Sequence, residues 1–237
     1  MLNRLFIATA IFAVSLAAAT AAHNPALERA RDHQDRAAID QTIAKLQQEA
    51  STKPDANYQL ALANSYAAEI AIEQRDKRKA EHYAEAGIDS AKKAVAASPN
   101  VAEYHRLLGE LCGQVIPANP LLGAMRFGQC ARDEVNKAIE LDPKSPLNYV
   151  SRGVGNYYLP AQFGGGVDLA LKDFDKAIAL NPKLSEAYLW KGIALRKAGR
   201  NAEARAALEK AIQLSPERNW AKEQLQKTPE HSVSGTQ

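Results

Sequence analysis

One short phrase occurs four times along the chain, and every copy ends in proline. The copies are Lys93–Pro99 (KAVAASP), Lys137–Pro143 (KAIELDP), Lys176–Pro182 (KAIALNP) and Lys210–Pro216 (KAIQLSP), and their prolines are 44, 39 and 34 residues apart. Proline lacks the N–H a helix needs and pushes the residue before it toward an extended conformation. Each copy therefore ends one helix in the same way. A chain built of such units buries its apolar stripes by stacking unit on unit, with 34 residues as the base period and ten and five residues inserted in the longer intervals.

The last interval is the cleanest. Tyr188, Gly192, Ile193 and Leu195 fall at helical spacing, and Lys197–Asn201 is a turn in which Gly199 suits the exit from a helix. Ala204, Leu208, Ala211 and Ile212 then mark one stripe of a second helix that ends before Pro216. Tyr188, Gly192, Leu195, Ala204, Leu208, Ala211 and Pro216 resemble, in order, the signature of tetratricopeptide (TPR) repeats. The pattern returns as Tyr149, Gly153, Ala170, Phe174, Ala177 and Pro182, and again as Leu108, Gly109, Ala131, Val135, Ala138 and Pro143. Between 55 and 99 it survives only on the second helix, as Gly87, Ala91, Ala94 and Pro99.

The resemblance implies an all-α fold, a right-handed solenoid of stacked antiparallel helix hairpins. Small residues such as Gly192 and Ala204 let two helices approach closely, while Tyr188, Leu195 and Leu208 fill the wedge between units. The expected layout is a degenerate hairpin at 22–54, the array at 55–227 and a polar, disordered tail at 228–237. A last short helix at 217–227, carrying Trp220 and Leu225, should cap the array.

Leu5–Ala18 is uncharged, follows Arg4 and precedes the small residues Ala19-Thr20-Ala21, the order of a secretory signal peptide ending near residue 21. The expected address is periplasmic or secreted, the bacterial pattern, with a mature chain that does not span a membrane. In an oxidising compartment Cys112 and Cys130, on the two arms of one predicted hairpin, could bridge; otherwise Cys112 is a small core residue and Cys130 a free thiol.

Chemistry-bearing motifs are scarce. Lys and Arg number 30 against 27 Asp and Glu, which gives no reason to expect nucleic acid as partner. The histidines (His23, His33, His82, His105, His231) include no pair at metal-binding helical spacing, and His105 falls where a packing residue belongs. No serine or cysteine nucleophile has an identifiable base. Neither catalysis, a cofactor nor a metal is expected.

Gly164-Gly165-Gly166 lacks the lysine and hydroxyl of a phosphate loop and reads as a tight reversal, with Asp168 helping to start the next helix. The two insertions, 115–127 and 158–168, should project from one edge. Ile116, Leu121, Leu122, Leu159 and Phe163 either fold back on their own helices or form an exposed apolar lip.

In TPR proteins partners lie in the concave groove lined by the first helix of each hairpin. Position by position, the resemblance assigns to it Glu103, Arg106, Glu110, Val150, Val154, Tyr157, Tyr158, Glu186, Leu189, Ile193, Arg196 and Lys197. The lysine and asparagine set that holds a C-terminal carboxylate in some members is not matched. An apolar, tyrosine-bearing floor with basic ends suits an amphipathic helix or extended peptide. The expected function is a scaffold or adaptor for a protein or peptide. The alternatives are a self-assembling envelope protein and a small-molecule carrier using the insertions; partner and oligomeric state are left open.

Overall fold

The structure, a computed structural model, describes residues 24–49, 54–118 and 120–230. The expected signal segment lies outside the described residues, as do residues 231–237 of the expected tail. Among the described residues there are no strands and eleven α-helices. They are α1 (Pro25–Asp32), α2 (Arg36–Glu49), α3 (Pro54–Glu73), α4 (Lys77–Ala97), α5 (Ala102–Val115) and α6 (Pro120–Leu141), then α7 (Pro146–Tyr158), α8 (Val167–Leu180), α9 (Ser185–Lys197), α10 (Asn201–Leu214) and α11 (Asn219–Gln226). Pro54, expected to close the first hairpin, opens α3.

The repeated phrase makes the same turn each time. Ser98, Asn181 and Ser215, each just before proline, have φ of −144°, −143° and −138°. The amides of Ser98, Asp142, Asn181 and Ser215 still donate to the carbonyls of Ala94, Ala138, Ala177 and Ala211. Three residues further on, the amides of Val101, Ser145, Leu184 and Arg218 donate back to the carbonyls of Ser98, Asp142, Asn181 and Ser215. Four identical corners give four equivalent hand-offs from one unit to the next.

After a shorter N-terminal pair, α1/α2, come four full hairpins, α3/α4, α5/α6, α7/α8 and α9/α10. Their first helices also touch in series, α3 to α5 to α7 to α9, while the second helices are spread further apart. The stack therefore curves with the first helices on its concave side.

Glycine sets the close approach within a hairpin. A Cβ at Gly192 would sit 2.5 Å from the Leu208 side chain and 3.0 Å from the Ala204 carbonyl oxygen. Gly153 meets Phe174 at 2.5 Å, and Gly109 meets Val135 at 2.7 Å and the Ala131 carbonyl oxygen at 3.1 Å. These are the pairs the repeat signature aligns. The α3/α4 hairpin reverses the arrangement: the small residue is Gly87 on α4, against Asn64 of α3 and Leu111 of α5. For that reason its first helix, though rich in alanine, carries no glycine to match Gly109, Gly153 and Gly192.

Both insertions lie at hairpin turns and carry exposed apolar side chains. The first lengthens α6 at its start, where Leu121, Leu122 and Met125 are 72%, 54% and 76% exposed; the second leaves Phe163 69% exposed and Leu159 open as well. The lip forms, with only Ile116 half-buried. Gly164 (φ 84°) and Gly166 (φ 112°) make the reversal. Asp168 does not cap α8; it lies in the first turn, where its charge suits the helix N-terminus. Below the lip Cys112 and Cys130 form a disulfide with Cα atoms 6.0 Å apart, tying α5 to α6.

Candidate functional site: the concave face

Polar side chains link the first helices along the middle of the concave side. Tyr58 of α3 donates to Glu103 of α5 at 3.0 Å, and Arg106 donates to Glu103 at 2.5 Å, to Glu110, and to Ser151 of α7 at 3.2 Å. Ser65 of α3 donates to Glu110 at 3.1 Å and bonds Gln114. Burial opposes the Arg106 charge, but Glu103 and Glu110 hold it firmly ionised. Burial, then Glu103, pushes the Tyr58 phenol upward. Arg106 and Glu110 thus serve first to bind three helices together. His105 is buried on the same helix, between Glu134 at 2.6 Å and the Pro99 carbonyl at 2.8 Å, and packs as expected.

Aromatic rings gather where α7 meets α9. Tyr157 and Tyr158 meet edge to face with centroids 4.9 Å apart, and Trp190 lies 6.1 Å and 6.2 Å from them. Trp220 of α11 stands 5.2 Å beyond Trp190. Lys197 places its ammonium 4.2 Å above the Tyr157 ring and donates to that residue's carbonyl at 2.8 Å. Tyr158 is 51% exposed and leads directly into Leu159 and the lip.

The other predicted groove residues have partners within the chain. Leu189 and Ile193 are covered by Trp220 and Ala221 of α11. Val150 is buried with Tyr149, Ala177 and Ala187, and Val154 is half-buried beside them. Arg196 donates to the Gln224 carbonyl at 3.0 Å and side chain at 2.6 Å, and to Thr228 at 3.3 Å; burial lowers its pKa. Thr228, the first residue of the expected tail, is itself buried.

A second cluster joins the two ends of the array. Arg218, at the start of α11, is 3% exposed and lies 2.5 Å from Glu69 and 2.8 Å from Glu73 of α3, with Asp32 and Glu186 at 3.7 Å and 3.9 Å. Arg31 of α1 stacks 4.8 Å over the Tyr66 ring and feels both Glu69 and Glu186. Burial outweighs the guanidinium groups and pushes the Glu69 carboxyl up to about 8; Glu73 is raised for the same reason. Trp190 could have been found in the sequence, because it follows Leu189 on the groove stripe and bonds Glu186 one turn back. Arg218 and Glu69 could not, being 149 residues apart.

Stacked hairpins with glycine-set spacing, concave first helices and a covering terminal helix define a TPR scaffold. A tetratricopeptide repeat family matches residues 161–219. The chain belongs to the family of regulator of microtubule dynamics protein 1–3, which matches residues 26–159. Regulator of microtubule dynamics protein 3 of Bos taurus is 27% identical over 181 residues, 69% of this chain but 37% of the relative; the chain thus spans little over a third of such relatives. Among solved structures, a thermophilic TPR protein of Thermus thermophilus superposes with a TM-score of 0.61 at 18% identity, over 86% of this chain and 96% of that one. The HusA haemophore of Porphyromonas gingivalis gives 0.52 at 19% identity, over 83% and 94%. These two likenesses concern the fold.

Proposed function

We propose that the chain is a non-catalytic scaffold that holds a protein or peptide partner on its concave face. The observation carrying this reading is the aromatic shelf of Tyr157, Tyr158 and Trp190, half open and continuous with exposed Leu159 and Phe163. Rigid aromatic side chains are common anchors in interfaces because they offer large contact area at low entropic cost. The relatives' names speak of microtubule dynamics in much longer proteins; the region shared with them is mainly the helical array. An oxidising, extracytoplasmic address is part of the proposal, supported by the Cys112–Cys130 bridge and the signal-like start. A photo-crosslinking residue at Tyr158 in the native host, followed by mass spectrometry, should capture a defined protein. Recovery should fall at least tenfold with Trp190→Ala; undiminished recovery would reject the shelf as the anchor.

A second reading, self-assembly, is favoured by the lip of Leu121, Leu122, Met125 and Phe163. Light scattering decides it: a monomer at tens of micromolar counts against.

A further inference from the structure

The turns of the four full hairpins share one edge of the stack. Arg126, at the end of the first insertion, pairs with Glu85 of α4 at 3.4 Å, and Lys197 at the end of α9 reaches the Tyr157 carbonyl at the end of α7. Ser151 of α7 bonds Glu110 of α5 at 3.2 Å, which sets the ends of those two helices nearly level. This edge combines apolar tips with a basic surround. Leu121 and Met125 stand one helical turn apart at the start of α6, and Phe163 tops the second insertion. The Cys112–Cys130 bridge fixes α6 just behind its tip. The four turns, 74–79, 115–127, 158–168 and 197–201, hold seven Lys and Arg against two Asp, whereas the whole chain is nearly balanced at 30 against 27. Arg75, Lys77, Arg78 and Lys79 crowd one turn, and all four are exposed. Arg126 lies beside the apolar tip, its guanidinium 4.9 Å over the Phe127 ring.

We propose that this edge docks on the surface of an anionic phospholipid bilayer. Leu121, Met125 and Phe163 enter the boundary between headgroups and acyl chains, while Arg126 and the 75–79 turn meet the headgroup phosphates. Bulky apolar tips ringed by long cationic side chains fit that layered environment, because the apolar stems and the charged heads find their solvents at different depths. A second copy is a poorer fit to the same edge, since self-pairing would set two such basic turns into one contact. Among the described residues no helix is long and apolar enough to cross a membrane, and the contact proposed is a surface one. The inference goes beyond the scaffold reading and stands without it.

The test uses the full chain and vesicles of phosphatidylcholine, alone or mixed with phosphatidylglycerol. The apolar segment Leu5–Ala18 can itself hold lipid, so the readout is local: an environment-sensitive dye on Ala124→Cys, an exposed site between Leu121 and Met125. Both native cysteines are bridged, which leaves the added thiol as the one to label. Dye emission should shift to the blue on mixed vesicles, and half the response should need at least tenfold less lipid than on phosphatidylcholine alone. Leu121→Ser with Met125→Ser and Phe163→Ser should abolish the shift. Lys77→Glu with Arg78→Glu should raise the lipid needed at least tenfold. All five sites are exposed, circular dichroism checks the fold, and the comparison of the two lipid mixtures needs no variant beyond the label. An unshifted dye on mixed vesicles overturns the proposal, as does an equal response to the two mixtures or from the Lys77→Glu, Arg78→Glu chain. A dimer in light scattering that the serine variants dissolve also overturns it and makes a second copy the occupant of the edge.

Discussion

Replacing Arg218 by methionine tests how the two ends of the array are joined. In the native chain the Nη2 atom of Arg218 bonds Glu69 at 2.5 Å and Glu73 at 2.8 Å, whereas its Nε and Nη1 are buried without a hydrogen-bond partner. Methionine keeps much of the volume but removes the charge, leaving two buried carboxyls without their guanidinium. Breaking a buried pair on one side costs about 3–5 kcal/mol when the carboxylate left behind is ionised, so the comparison is made at about pH 9, above the raised Glu69 value of about 8. Adding Glu69→Gln and Glu73→Gln to Arg218→Met removes the uncompensated charge and should recover more than half of the loss. Urea denaturation measures this by two probes. Both tryptophans lie close by, with the Arg218 guanidinium 5.4 Å from the Trp220 ring, so their fluorescence follows the C-terminal units while circular dichroism follows the whole stack. In Arg218→Met the fluorescence transition should come first. The sign with pH is fixed by burial. Glu69 rises from 4.5 to about 8 on folding, so its contribution is complete below pH 4.5 and is lost as pH climbs through 8. Glu73 acts in the same direction. Glu69→Gln should flatten that slope. A single variant within about 0.5 kcal/mol of the parent, the scale of ordinary surface changes, would refute the assignment of this cluster as a joint.

Leu208→Ala, at a fully buried wedge position, should cost about 2–5 kcal/mol in urea denaturation. Gly153→Val should cost about 1–3 kcal/mol, because even a Cβ there meets the Phe174 ring at 2.5 Å; a neutral result would contradict the hairpin spacing. Cys112→Ser with Cys130→Ser opens a loop between residues 18 apart and should lower stability by roughly 3 kcal/mol, matched by adding dithiothreitol to the parent protein.

The array was legible in the sequence because its determinants are local. The pre-proline corners and the Gly109, Gly153 and Gly192 positions recur in the same order, the glycines 44 and 39 residues apart, and that repetition exposes them. The α3/α4 hairpin was blurred because its small residue moved to Gly87 on the second helix. The candidate groove residues fall on the first helices of the hairpins, but their neighbours within the chain could not be read. That Leu189 lies under Trp220, or that Arg218 comes within 3.9 Å of Glu186, depends on how tightly the stack curls, a property summed over every hand-off and encoded in no single segment. The lip residues could be named but not oriented, since apolar residues in an insertion can turn either way.

The joint at Arg218 also changes how disturbance travels. An open stack of repeats frays from its tips, each end indifferent to the other. With α1, α3 and α11 sharing one set of charges, the molecule behaves more like a hoop than a ladder: loosening the first helix weakens the hold on the last. A disturbance of α1 can therefore be felt at α11 through Arg218 and its α3 partners, without passing along the α5/α6 and α7/α8 hairpins.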